Sequence, residues 1–145
     1  MSDLLDANVW VALAAADHVH HEHALRYWQE ESAESVSFCR VTALAFLRLV
    51  TNAHVMQHAV LTSGEAWALW REWLALPEVS FLNEPVGLDE RLSQFSRMMS
   101  IRPKLWTDAY LAAFAIAGNH RVVTFDGDFE KFSGLNLLLL QPDSD

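Results

Sequence analysis

Short apolar runs alternate along the chain with longer stretches whose apolar residues recur at helical spacing, and polar turns separate them. Residues 2–6 read as a first short strand, and Ala7–Ala16, with Val9, Trp10 and Leu13 on one side, as a first helix. The polar link Asp17-His18-Val19-His20-His21-Glu22-His23 runs into a second helix over about 22–32, carrying Ala24, Leu25, Tyr27 and Trp28. Val36–Phe38 reads as a second strand and Val41–Thr51 as a third helix, which Asn52 stops. Ser63–Leu76 is a fourth helix, ended by Pro77, with apolar residues on two sides: Trp67, Trp70 and Leu74, then Leu69, Trp73 and Leu76. Such a helix is either buried on both sides or shared with a partner. Val79–Leu82 follows as a third strand, 88–99 as a fifth helix, and Arg102-Pro103-Lys104 as a loop. The sixth helix runs from Trp106-Thr107 to the stop signal Gly118-Asn119. A fourth strand at 121–125, a turn or short helix to Phe132 and a fifth strand at Leu137–Leu140 complete the chain. This alternation predicts the α/β class: a mainly parallel central sheet of four to five strands, flanked by helices on both faces.

A length of 145 residues is most simply one domain spanning 1–145, able to bury roughly two-thirds of its unfolded surface. The single cysteine, Cys39, leaves no internal disulfide and reads as a buried packing residue. No leader-like start and no apolar run long enough for a membrane helix is present, so a cytoplasmic location is the default. A formal net charge of −9 argues against a protein that holds nucleic acid by a broad basic face. Six tryptophans exceed what a core of this size readily hides, so some are expected at a partner surface. Trp10, Trp28 and the Trp67/Trp70/Trp73 set are the candidates, with core packing as the alternative for each.

The chemistry concentrates in acids at strand ends and helix starts. The first strand ends at Asp6, the fourth runs into Phe125-Asp126-Gly127-Asp128, and Asp108 opens the sixth helix. Singly, Asp6 reads as a helix cap, Asp108 as a first-turn acid answering the helix dipole, and Asp126-Gly127-Asp128 as a turn. If the first and fourth strands are parallel neighbours, however, all lie at the carboxyl edge where such sheets bind ligands. Clustered carboxylates repel one another unless a cation neutralises them, and Mg²⁺ or Mn²⁺ suits an all-oxygen site.

The segments Leu5-Asp6-Ala7-Asn8, Thr107-Asp108-Ala109-Tyr110-Leu111-Ala112-Ala113 and Val122-Val123-Thr124-Phe125-Asp126-Gly127-Asp128-Phe129 together resemble PIN-domain ribonucleases of the VapC toxin type. The stretches 17–24 and 42–52 resemble a mycobacterial-type subgroup of those toxins. The resemblance implies a PIN-like three-layer α/β/α fold and a Mg²⁺-dependent endoribonuclease that pairs with a small antitoxin and forms a homodimer. Mn²⁺ is a possible substitute metal. It places Asp6, Asp108 and Asp126 at catalytic metal-site positions, Asp128 at a further acid position, and Asn8 and Thr124 at polar positions beside the site. The family's usual glutamate on the third helix is replaced by Ala45, with Glu34, Asp17 or Asp128 as compensating acids.

In that reading the metal activates a water that displaces the 3′ oxygen in line, leaving a 5′-phosphate and a 3′-hydroxyl. The RNA needs only a local groove, for which Arg40, Arg48, Arg97, Arg102 and Lys104 are candidate contacts. Trp106 is available either to stack on an unpaired base or to pack under the sixth helix. The histidines at 18–23 lack a nearby cysteine or a helical His-Glu-x-x-His pattern and read as a polar link, with an RNA contact open. The alternative function is a PIN-like binding module weakened in catalysis by Ala45. A phosphoacceptor receiver domain is disfavoured, because no acid pair follows the first strand and no lysine follows the last.

Overall fold

The computed structural model describes residues 1–141, so the expected span of 1–145 runs beyond them. Five strands form one sheet: β1 (Asp3–Leu5), β2 (Val36–Phe38), β3 (Val79–Phe81), β4 (Arg121–Thr124) and β5 (Leu137–Leu139). Their order is β3-β2-β1-β4-β5 and every pairing is parallel. The chain lays β2 and β3 outward on one side of β1, then crosses back to place β4 on the other. β1 and β4 therefore flank the point where the winding direction reverses, and a crevice opens there at their carboxyl ends.

Adjacent residues on each strand point to opposite faces, which splits the core in two. Leu5 and Val123 face α1 (Ala7–Ala14), α3 (Arg40–Val50) and α5 (Ser63–Leu74), where Trp10 stacks flat on Phe38 at 3.9 Å. Leu4 and Val122 face α6 (Leu88–Met98) and α7 (Trp106–Gly118), with Phe95, Phe114, Phe129 and Phe132. Trp10 and Trp70 are buried, so neither is available to a partner. Trp67 and Trp106 are nearly half exposed, at 45% and 47%, so Trp106 does not pack under its helix. Cys39 is buried as expected. No helix of the described residues is long and apolar enough to cross a membrane.

Two segments differ from the sequence expectation. The single helix expected over 22–32 divides into α2 (His21–Arg26) and a wider π turn, Tyr27–Glu31. That turn lets the Tyr27 hydroxyl donate to Asp3 Oδ2 while the Glu31 carbonyl accepts from Arg121 Nη2 at 3.0 Å. Asn52 not only stops α3 but starts another helix. Its side-chain oxygen accepts from His54 N at 2.9 Å and caps α4 (Ala53–Met56), a turn too short to show apolar periodicity.

The amino end of the sheet is held by a buried ion pair that the sequence pattern does not reveal. Asp3 is fully enclosed, and its carboxylate accepts from Arg121 Nε and Nη2, both at 2.9 Å, and from Ala33 N at 3.0 Å. A planar guanidinium meeting a carboxylate in this paired way is the strongest geometry such a pair has.

Candidate metal centre

Asp6 follows β1 directly and caps α1: its Oδ1 accepts from Ala7 N at 2.8 Å. The same carboxylate turns its Oδ2 to Thr124, whose hydroxyl donates to it at 2.8 Å. The cap role and the rim position are thus compatible. Asp126 follows β4, receives Asp128 N on its Oδ1 at 2.9 Å, and so begins a tight turn that carries Asp128 back to the rim. Asp108 lies in the first turn of α7, whose amino end stands at the carboxyl edge because the helix runs antiparallel to the strand it precedes.

Asp108, Asp126 and Asp128 each bring one carboxylate oxygen within 4.8 Å of the others. Asp6 is not one of these three. It stands behind them, close enough that its charge acts on Asp108. Burial, reinforced by the charges of Asp6, Asp126 and Asp128, pushes the Asp108 carboxyl up from its ordinary 3.8 to about 6. Burial also raises Asp6 and outweighs the hydrogen bonds from Thr124 and Ala7 that lower it, with Asp126 adding a smaller upward push. Mutual repulsion of this kind is relieved by a divalent cation, and an all-carboxylate donor set is the hard-oxygen chemistry that Mg²⁺ or Mn²⁺ takes.

Thr124 is fully buried and is the junction of the frame. Its oxygen accepts from Asn8 Nδ2 at 3.2 Å and from Asp126 N at 3.0 Å, which leaves its one proton for Asp6. Asn8 Oδ1 accepts from Phe125 N at 3.4 Å. One hydroxyl therefore sets the orientation of Asp6 and the backbone at Asp126 together.

The other residues singled out in the sequence fall in several places. Ala45 is half-buried on α3, a helix with no acid. Of the three suggested compensating acids, only Asp128 joins the cluster. Asp17 pairs with His58 at 2.8 Å, and Glu34 lies just ahead of β2 at the opposite, amino edge. Arg40 begins α3 with its guanidinium 4.6 Å above the Phe81 ring. Arg102 and Lys104 are exposed on the approach to α7, where Trp106 is its first residue. Arg48 lines a groove with Leu47, Thr51 and Trp67, and Arg97 donates to Ser93 Oγ at 2.7 Å on α6. Phe125 and the histidines of the α1–α2 link lie beside the site and went unrecognised as neighbours. Nothing in their spacing signals which strand end they will cover.

Comparison with known proteins agrees with this fold. The chain is 40% identical to Ribonuclease VapC41 of Mycobacterium tuberculosis over 143 residues, covering 94% of this chain and 97% of the relative. It is 30% identical to Ribonuclease VapC37 of the same organism, covering 91% and 92%. Among solved structures it is similar in fold to Mycobacterium tuberculosis VapC20, a Sarcin-Ricin loop cleaving toxin (TM-score 0.69, 21% identity, 97% of this chain and 100% of that one). It is also similar in fold to VapBC2 from Rickettsia felis bound to a promoter DNA fragment (TM-score 0.67, 13% identity, 97% and 100%). With residues 4–135 matching the PIN domain and the VapC ribonucleases as its relatives, the chain belongs to the PIN-domain family.

Proposed function

We propose that this protein is a Mg²⁺-dependent endoribonuclease of the toxin type, active as a single PIN domain in the cytoplasm and restrained by a small antitoxin. The observation that carries the proposal is the convergence of Asp108, Asp126 and Asp128 at the reversal point of the sheet, with Asp6 behind them. Ribonucleases among its relatives and toxin–antitoxin complexes among its structural neighbours support the same reading.

Asp108, Asp126 and Asp128 would hold the metal directly, and Asp6 would complete the site from the Thr124 side. Bound there, Mg²⁺ or its substitute Mn²⁺ supplies Lewis acidity to a scissile phosphodiester and to the attacking water. Thr124 and Asn8 keep the carboxylates in one orientation, so that no reorganisation is needed when RNA arrives. Arg40 has no acid partner among the described residues and is held over Phe81, which suits it to a phosphate of the RNA. Arg102, Lys104 and the exposed face of Trp106 would extend the RNA path on the α7 side. The open apolar groove of Leu13, Leu25, Trp28, Trp73 and Leu76 suits the apolar face of an antitoxin helix, and a homodimer is expected.

Purified protein should cut RNA in Mg²⁺, stop in excess chelator, and leave 5′-phosphate ends. Metal-independent cutting, or 2′,3′-cyclic ends, would refute the assignment. Thr124→Val should lower cleavage about 10–100-fold while the protein still folds, since it removes the junction that orients Asp6 without replacing any of the metal acids. Metal binding should also depend on pH. Asp108 must lose a proton held with a pKa of about 6, so Mn²⁺ affinity falls as pH drops below that value and levels off above it. A calorimetric titration flat between pH 5 and 7.5 would contradict a role for Asp108 as a ligand.

A further inference from the structure

The histidine-rich link is the sequence feature that the acid centre leaves unused, and the fold places it against that centre. Phe125, between Thr124 and Asp126, carries two imidazoles: His20 stacks on its ring at 4.6 Å and 18°, and His23 meets it edge-on at 5.8 Å. The backbone of Phe125 is tied to Asn8, so this aromatic seat belongs to the same frame that orients Asp6. Two neighbouring histidines act as posts. His18 Nδ1 accepts from His20 N at 3.0 Å, and His21 Nδ1 donates to the Ala12 carbonyl at 2.8 Å.

His20 and His23 are different: the Nδ1 of each is enclosed and has no partner among the described residues. Of the two, His20 is the one laid flat on the Phe125 ring. A neutral imidazole carries one donor and one acceptor, and an orphaned buried N–H is rarer than an orphaned acceptor. With Nδ1 as the ring's acceptor, Nε2 is its donor, and that nitrogen is neither enclosed nor hydrogen-bonded among the described residues. A ring fixed on one face, with a single outward donor, suits an acceptor whose position is also fixed. In a chain with nineteen acids and ten Lys and Arg, imidazole donors near the carboxylates are a way to meet a phosphate there.

We propose that His20 is an RNA contact, donating from Nε2 to a backbone phosphate next to the one that is cut, with Phe125 as its support. This rests on the ribonuclease reading but is measured separately from it. The test is fluorescence anisotropy of a labelled RNA oligonucleotide of randomised sequence with the full chain, Ca²⁺ replacing Mg²⁺ to prevent cutting. His20→Leu should weaken RNA binding about tenfold, the scale of one hydrogen bond to a charged group. His20→Gln, whose amide nitrogen reaches the Nε2 position, should stay within about threefold of the parent on the same scale. His20→Asn, whose amide reaches only the Nδ1 position, should behave like the leucine variant and replaces it if leucine prevents folding. Mn²⁺ affinity should be unchanged in all three. Equal RNA affinity in parent and leucine or asparagine variant, or equal loss in the glutamine variant, would overturn the contact. A parent that binds RNA without cutting it in Mg²⁺, while His20→Leu or His20→Asn loses affinity, would end the nuclease reading and leave the contact standing. A parent that binds no RNA would overturn both.

Discussion

Asp3→Ala is expected to destabilise the protein by about 3–5 kcal/mol, the usual consequence of removing one partner from a buried ion pair. The mechanism is the charge left behind. Arg121 loses both of its 2.9 Å hydrogen bonds to Asp3 and keeps only the Glu31 carbonyl. The Tyr27 hydroxyl and Ala33 N–H lose their acceptor in the same change, and each stranded polar group adds its own desolvation cost. For a domain of this size the melting temperature should fall by roughly 10 °C or more. Arg121→Met alone should be similarly damaging, because it strands the Asp3 carboxylate. The double variant Asp3→Ala with Arg121→Met should lose less than the sum of the two single variants, since neither charge is left stranded, although Tyr27 and Ala33 stay without their acceptor. Thermal melts of the four proteins decide the matter. Additive losses, with no recovery in the double variant, would mean that the two side chains do not act as a pair.

Asp108→Asn should have the opposite pair of effects: RNA cleavage falls at least about a hundredfold, beyond what loss of a supporting group around a metal costs, while the metal-free protein becomes more stable. The sign follows from the raised pKa. In the unfolded chain the Asp108 carboxyl ionises near 3.8, whereas in the folded protein burial and three neighbouring acids hold it protonated up to about 6. Above pH 6 its charge therefore opposes folding, and this penalty is relieved as pH falls from 6 toward 3.8. At pH 7.5 without metal, Asp108→Asn should melt above the parent, and the gap should close toward pH 4. Saturating Mn²⁺ should reverse the order by stabilising only the parent. An asparagine variant that melts lower than the parent at pH 7.5 in chelator would show that Asp108 is held by favourable contacts and is not a repelled member of an acid cluster.

Asp3 and Asp6 show how much a single chain discloses. One opens the three-residue strand β1 and the other follows it, and a pattern of apolar and polar positions treats them alike. Asp6 drew attention because a helical pattern follows it, and it lies at the carboxyl edge as expected. Asp3 lies at the amino edge, where Arg121 crosses from the neighbouring strand to meet it. Their partners are 118 residues away in both cases, Thr124 for Asp6 and Arg121 for Asp3, so no local signal separates a rim acid from a structural one. Two of the three suggested stand-ins for the absent acid on α3 lie away from the cluster for the same reason. Glu34 and Asp17 are ordinary acids in sequence, and only the path of the chain puts one at the wrong edge and the other against His58.

Short-range physics was enough for the elements and the sheet class. Apolar spacing, proline and glycine breaks, and capping residues act within a few positions, and they identified five strands, the major helices and the acids at their ends. Where neighbours along the chain have little influence, only the assembled fold decided. It divided the second helix so that Tyr27 and Glu31 could serve the Asp3–Arg121 pair, buried Trp10 and Trp70, and seated the histidine link on Phe125. Each of these depends on which segments meet once the sheet has assembled, and that meeting is settled by packing over long sequence separations.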